Sequence, residues 1–118
     1  MKIEKTYTAN IYVGLQEGYT KDKVHTLAEV VKLCQEYCNK GGLCVTVTPT
    51  TFIYTNGRED GAIVGAINYP RFPEYGIVIK AKAVVLARLL MREFNQERCS
   101  IVCSDETVML EKDDLEKK

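Results

Sequence analysis

Histidine is the side chain best suited to moving protons near neutral pH, and this chain of 118 residues has one, His25. It directly precedes Thr26, a residue placed to cap a helix, and is expected to pack at that helix entrance. The thiols come next. Cys34, Cys38, Cys44, Cys99 and Cys103 make an odd number in a chain without an export signal, so they are expected to be reduced. Zinc favours Cys-x-x-Cys knuckles, whereas Cys34/Cys38 and Cys99/Cys103 repeat one face of a helix or strand. They read as small buried hydrophobes, with no metal and no cofactor implied. The sequence holds no Gly-x-Ser-x-Gly elbow, phosphate loop or dinucleotide fingerprint, and no base can be assigned to a cysteine nucleophile. The expectation is a protein that is not an enzyme.

Binding chemistry concentrates in Asn68-Tyr69-Pro70-Arg71-Phe72-Pro73. Prolines lower the entropy cost of presenting side chains, aromatic rings offer a stacking face to a base, and arginine forks onto phosphate. A rigid crossover whose aromatics cap the core explains the same residues, and both readings stay open. Tyr19 and Thr20, in the polar loop after the first strand, offer further hydroxyls. So does the threonine-rich face of the second strand, although exposed threonine is also ordinary strand propensity.

Sixteen basic residues balance sixteen acidic ones, which leaves no long-range field to hold a nucleic-acid polymer or an anionic membrane. An anion would need a local cluster. The start, Met1-Lys2-Ile3-Glu4-Lys5, lacks the apolar run of a signal peptide, and no stretch reaches the length of a membrane span, so a cytoplasmic protein is expected. With 46% apolar residues the chain can bury a core unaided. Residues 1–110 are expected to form one domain and 111–118 a frayed charged tail.

The elements that must position these groups follow from periodicity. Thr6 to Leu15 mixes β-branched and aromatic residues around alternating apolar positions and reads as a strand. Thr26-Leu27-Ala28-Glu29 is a capping box, and Leu27, Val30, Val31, Cys34, Tyr37 and Cys38 follow at helical spacing up to a Gly41-Gly42 stop. Leu43 to Tyr54 changes to period two, with Pro49 pointing to an edge or a bulge. Thr55 to Gly61 reads as a turn and Ala62 to Tyr69 as the hairpin partner. A second helix from about Ile77 to Asn95 carries Val84, Leu86, Ala87, Leu90, Met91 and Phe94, an arc broader than one sheet needs, which predicts association into a homo-oligomer. Cys99 to Cys103 and Thr107 to Leu110 close the chain as short strands. The order predicts an α+β fold, a ferredoxin-like β-α-β-β-α-β antiparallel sheet with two helices on one face and a short extra C-terminal strand.

Acylphosphatases share this order of elements, and Asn56 with Asp60-Gly61 looks like their asparagine before an Asp-Gly hairpin turn. Their glycine-rich first loop ends in arginine, however, whereas Gly14-Leu15-Gln16-Glu17-Gly18 carries glutamate there. Three blocks, Asn10 to Thr20, Cys44 to Thr50 and Ile67 to Pro73, together resemble a family of short bacteriophage proteins, the Thoeris anti-defence sponges of the first type. The resemblance implies a noncatalytic protein that sequesters cyclic ADP-ribose isomers, and in some members cyclic oligonucleotides, so that bacterial defence does not fire. It implies pockets at subunit interfaces, with Phe72 against the adenine and Arg71 on phosphate, and Arg98 and Asp105 as further candidates. A small acylphosphatase-like hydrolase and a structural oligomer without ligand are the rival readings.

Overall fold

A computed structural model describes residues 1–17 and 24–115. Tyr19 and Thr20 lie outside the described residues. The elements run β1 (Thr8–Gly14), α1 (Leu27–Gly41), β2 (Val45–Tyr54), β3 (Gly57–Ile67), α2 (Gly76–Glu93), β4 (Arg98–Cys103) and β5 (Thr107–Glu111). They form one antiparallel sheet in the order β2-β3-β1-β4-β5, the ferredoxin-like arrangement with β5 added beyond β4. The expected fold class is therefore observed. No described helix is long and apolar enough to cross a membrane.

Alternation in the central strands decides which face is covered. Ala9, Ile11 and Val13 on β1 are buried beneath the helices, beside Val64 on β3 and Ile101 on β4. The intervening residues, among them Tyr12, Ile63, Val102 and Met109, point to the opposite face, which no described element covers. Pro49 sits on β2, an edge strand, so its missing N–H costs the ladder little.

Helix α1 starts as its capping box requires: the Glu29 amide donates to the Thr26 hydroxyl and the Glu29 carboxylate accepts from the Thr26 amide. Gly42, at φ 67, ends it in the left-handed region open to glycine. His25 does pack at the entrance, but as a clamp. Its Nε2 lies 2.7 Å from Glu17 and its Nδ1 2.9 Å from Glu29, while its ring rests 4.9 Å from that of Phe94. Burial alone would lower its pKa; the hydrogen bonds and charges of Glu17 and Glu29 outweigh that and hold the imidazole above its usual range.

Three expectations need correction. The hairpin turn is Thr55-Asn56 alone, with Asn56 at φ 61, and Tyr54 pairs directly with Gly57. Asp60-Gly61 consequently lies inside β3, and the acylphosphatase likeness loses its turn. The second correction concerns α2. Leu86, Ala87, Leu90, Met91 and Phe94 are each at most 1% exposed within one chain, and Val84 packs against the core. The helix touches β1, β4 and β3 beneath it, α1 at its side and the last turn of chain beyond, so its broad arc is consumed internally. The oligomer expected from this helix loses that support. Third, Lys112–Leu115, read as part of a tail, form a 3-10 turn whose Leu115 carbonyl accepts from Arg92 at 3.0 Å.

Two outcomes follow from this packing. Phe94→Ala empties a fully buried ring site and should cost about 3–5 kcal/mol in urea melts, against under about 0.5 kcal/mol for exposed Val85→Ala. For His25, a folded pKa above the unfolded one means the stabilisation is complete below the unfolded pKa of about 6.5 and is lost as pH rises through the folded value. The melting temperature should thus fall as pH rises above about 6.5, and His25→Gln should flatten that slope.

Candidate functional site

The crossover after β3 brings part of the expected binding cluster together. A turn closed by the Phe72 amide on the Tyr69 carbonyl, at 3.1 Å, sets the two rings 5.4 Å apart at 42°. They line a cleft of about 230 Å³ with Cys44, Asn68, Glu74 and Lys82. Phe72 is 52% exposed, which places its ring at a surface and not in the core. Asn68 serves the loop itself: its Nδ2 donates to the Lys5 carbonyl and its Oδ1 accepts from the Glu74 amide. Arg71 is exposed and does not line the cleft. The cation there is Lys82, whose ammonium has no partner among the described residues; no motif marked it in the sequence.

Asp105 and Arg98 sit at opposite ends of the short strand β4. Asp105, in the turn to β5, accepts from the Tyr7 hydroxyl at 3.0 Å and from Lys80 at 2.9 Å, and the Lys80 hydrogen bond holds its carboxyl below the usual range. It ties the β4–β5 turn to the start of α2. Arg98 is exposed, with its Nε 4.0 Å from Glu111. Neither reaches the Tyr69–Phe72 cleft.

Two larger clefts lie at the other end of the sheet, about 20 Å away along β3. One of about 460 Å³ runs between the N-terminal end of α1 and the hairpin, lined by Leu15, His25, Thr26, Thr50 and Asp60 among others. An adjoining cleft of about 390 Å³ shares Thr51 and Asp60 with it and adds Gln16, Arg58 and Glu59. His25 cannot serve as a free base here, because both ring nitrogens are engaged by Glu17 and Glu29. Glu59 is different. Its carboxylate is partly buried, finds no hydrogen-bond donor among the described residues, and is raised above the usual carboxylate range by burial.

Across the ladder Glu59 faces Phe52, whose ring lies over Gly61 where any Cβ would collide, and 6.4 Å from the ring of Tyr12. Gly14, next to it on β1, leaves a Glu59 oxygen 3.7 Å from where a Cβ would stand. Buried Gln96 fixes the chain leaving β1 by donating to the Gln16 carbonyl at 2.9 Å. The result is an acid beside an aromatic pair over a floor of glycines. Sequence reading missed it because Arg58-Glu59-Asp60 looked like turn residues. Among the described residues no group of three potential ligands could hold a metal ion.

No protein-family model matches the sequence, and no curated protein is significantly similar to it. Among solved structures, a phage SAM lyase in complex with S-methyl-5'-thioadenosine is similar over 92% of this chain and 91% of its own, with a TM-score of 0.78 and 17% identity. A phage SAM lyase in its apo state is similar over 89% and 88%, with a TM-score of 0.77 and 18% identity. At such identities the likeness is one of fold. It still corrects the expectation that the chain is not an enzyme, because an enzyme is built on this same frame and the missing motifs therefore carry no weight against catalysis. Both neighbours are lyases and not Thoeris sponges.

Proposed function

We propose that the chain binds an adenosine-containing small molecule and acts as a lyase on S-adenosylmethionine. The observation that carries this reading is the shared frame over about nine-tenths of both chains, with a phage SAM lyase that holds S-methyl-5'-thioadenosine. Chemistry supports it too. A sulfonium is already a leaving group: when the sulfur–Cγ bond breaks, sulfur keeps the pair and departs as a neutral thioether. The substrate's own carboxylate supplies the replacing pair to Cγ and closes a lactone, so no protein nucleophile or base is consumed. What the protein supplies is orientation of that carboxylate for in-line attack. A site without a free histidine is suited to this work. In our reading the adenine lies on the Phe52–Tyr12 pair and the ribose diol donates to Glu59, replacing the hydrogen bonds that this carboxylate lacks.

A second reading has its own support at the Tyr69–Phe72 cleft, where the unpaired Lys82 suits a phosphate. A cyclic ADP-ribose isomer, the ligand class implied by the sequence resemblance, has both an adenine to stack and phosphates to pair.

Incubation with S-adenosylmethionine, followed by denaturation and chromatography, tests the first reading: S-methyl-5'-thioadenosine should appear in stoichiometric excess over protein. Glu59→Gln should weaken substrate binding by about ten- to a hundredfold, the worth of hydrogen bonds to a charged group. Recovery of intact S-adenosylmethionine after tight binding would make the chain a sequestering protein for it, and absence of binding would end this reading. Calorimetry with cyclic ADP-ribose isomers tests the other cleft. Lys82→Ala and Phe72→Ala should each lower that affinity by about tenfold or more while leaving the handling of S-adenosylmethionine unchanged.

A further inference from the structure

We propose that Cys38 and Cys44 form a reversible thiol–disulfide site at the border of the Tyr69–Phe72 cleft, reacting with low-molecular-weight disulfides such as glutathione disulfide. Cys38 ends the last turns of α1, and the Gly41-Gly42 reversal, closed by the Gly42 amide on the Cys38 carbonyl at 3.2 Å, brings the chain straight back. The amide of Val45, the residue after Cys44, donates to the Cys38 sulfur. This reversal sets Cys44 just beyond the helix end that carries Cys38, on the wall of the same cleft. Both thiols line one apolar cleft of about 300 Å³, with Cys34 also on its wall. Cys44 in addition lines the cleft of Tyr69 and Phe72.

Access is graded along the three thiols. Cys44 is exposed, Cys38 half-buried and Cys34 buried. Burial pushes the Cys34 thiol up to about 12, which leaves it protonated and inert, and burial with the neighbouring Cys44 also raises Cys38. Cys44 is thus the thiol that meets a reagent and Cys38 the one that resolves. In the first step the Cys44 thiolate attacks one sulfur of glutathione disulfide, its sulfur–sulfur bond breaks, and one glutathione thiolate leaves. In the second the Cys38 thiolate attacks the Cys44 sulfur of the mixed disulfide and expels the other glutathione. Two protein thiols are oxidised, one glutathione disulfide is reduced to two thiols, and the released protons go to these. The closed form cross-links the end of α1 to the start of β2 and draws Cys44 towards α1, so the aromatic cleft that Cys44 lines changes with redox state.

The experiment treats the full chain with glutathione disulfide, blocks remaining thiols and maps the peptides by mass spectrometry without reduction. The parent chain should lose two hydrogens and yield a peptide pair joined through Cys38 and Cys44, reversed by reduced glutathione. Cys38→Ser should stop at the mixed disulfide and hold one glutathione on Cys44, while Cys44→Ser should hold none and form no bridge. A parent chain that keeps a stable glutathione on Cys44, that joins Cys34 in place of Cys38, or that stays fully reduced where a control dithiol oxidises would overturn the proposal. Thermal melts of both variants accompany the mapping, and the parent result stands by itself should a variant fail to fold.

Discussion

The packing of α2 across the middle of the sheet is the constraint from which the remaining geometry follows. Ala9, Ala62 and Ala66 on the strands and Ala83 and Ala87 on the helix are all buried, and their small side chains let the layers approach closely. Leu86, Leu90, Met91 and Phe94 fill the flanks of that contact. With the centre occupied, α1 is left to cover the side of the sheet towards β2, and it covers only the half near the start of that strand. The hairpin end of β2 and β3 extends beyond the helix layer. Clefts form where one layer runs out, and here this happens beside Glu59 and Asp60.

Much of the frame was legible because each signal was local. The capping box at Thr26, the double glycine at 41–42 and the period-two run into Tyr54 each fix one element without help from the rest of the chain. The errors have a common cause. Arg58-Glu59-Asp60-Gly61 has turn composition but is held extended by its ladder to β2, an interaction that no local rule contains. The second helix looked too apolar for one sheet because its other neighbours, α1 and the 3-10 turn, come from distant parts of the chain. Asn68 and Asp105 have the side chains of ligand-binding residues, yet their polar atoms are satisfied by Lys5, Glu74, Tyr7 and Lys80. Composition names which groups can bind, whereas only the fold says which remain unpaired.

The same distinction governs the reading of catalysis. Searching for a nucleophile, a free base or a phosphate loop presumes that the protein must donate or accept electrons or protons in the reaction. A substrate that carries both its leaving group and its nucleophile removes that requirement, and what remains for the protein is shape and orientation. Such a site leaves no motif. It is found instead as an unsatisfied polar group next to a rigid apolar surface, and Glu59 beside Phe52 and Tyr12 has that form.

A net charge of zero conceals two ends of different character. At the hairpin end, Glu17, Glu29, Glu59 and Asp60 stand against His25 and Arg58, and the clamp of His25 uses two of these carboxylates, which leaves Glu59 and Asp60 as acceptors. At the crossover end the Glu74 carboxylate accepts from the Tyr75 amide, while the ammonium of Lys82 has no partner among the described residues. Each end therefore selects by the group left unpaired: hydroxyl or cationic groups at the first, anionic groups on Lys82 at the second. Since these fields are local, and a Debye length at physiological salt is about 8 Å, the two clefts are electrically independent across about 20 Å of sheet. One small frame thus offers separate chemistries at its two ends, and a change at the Cys44 border would alter the second without disturbing the first.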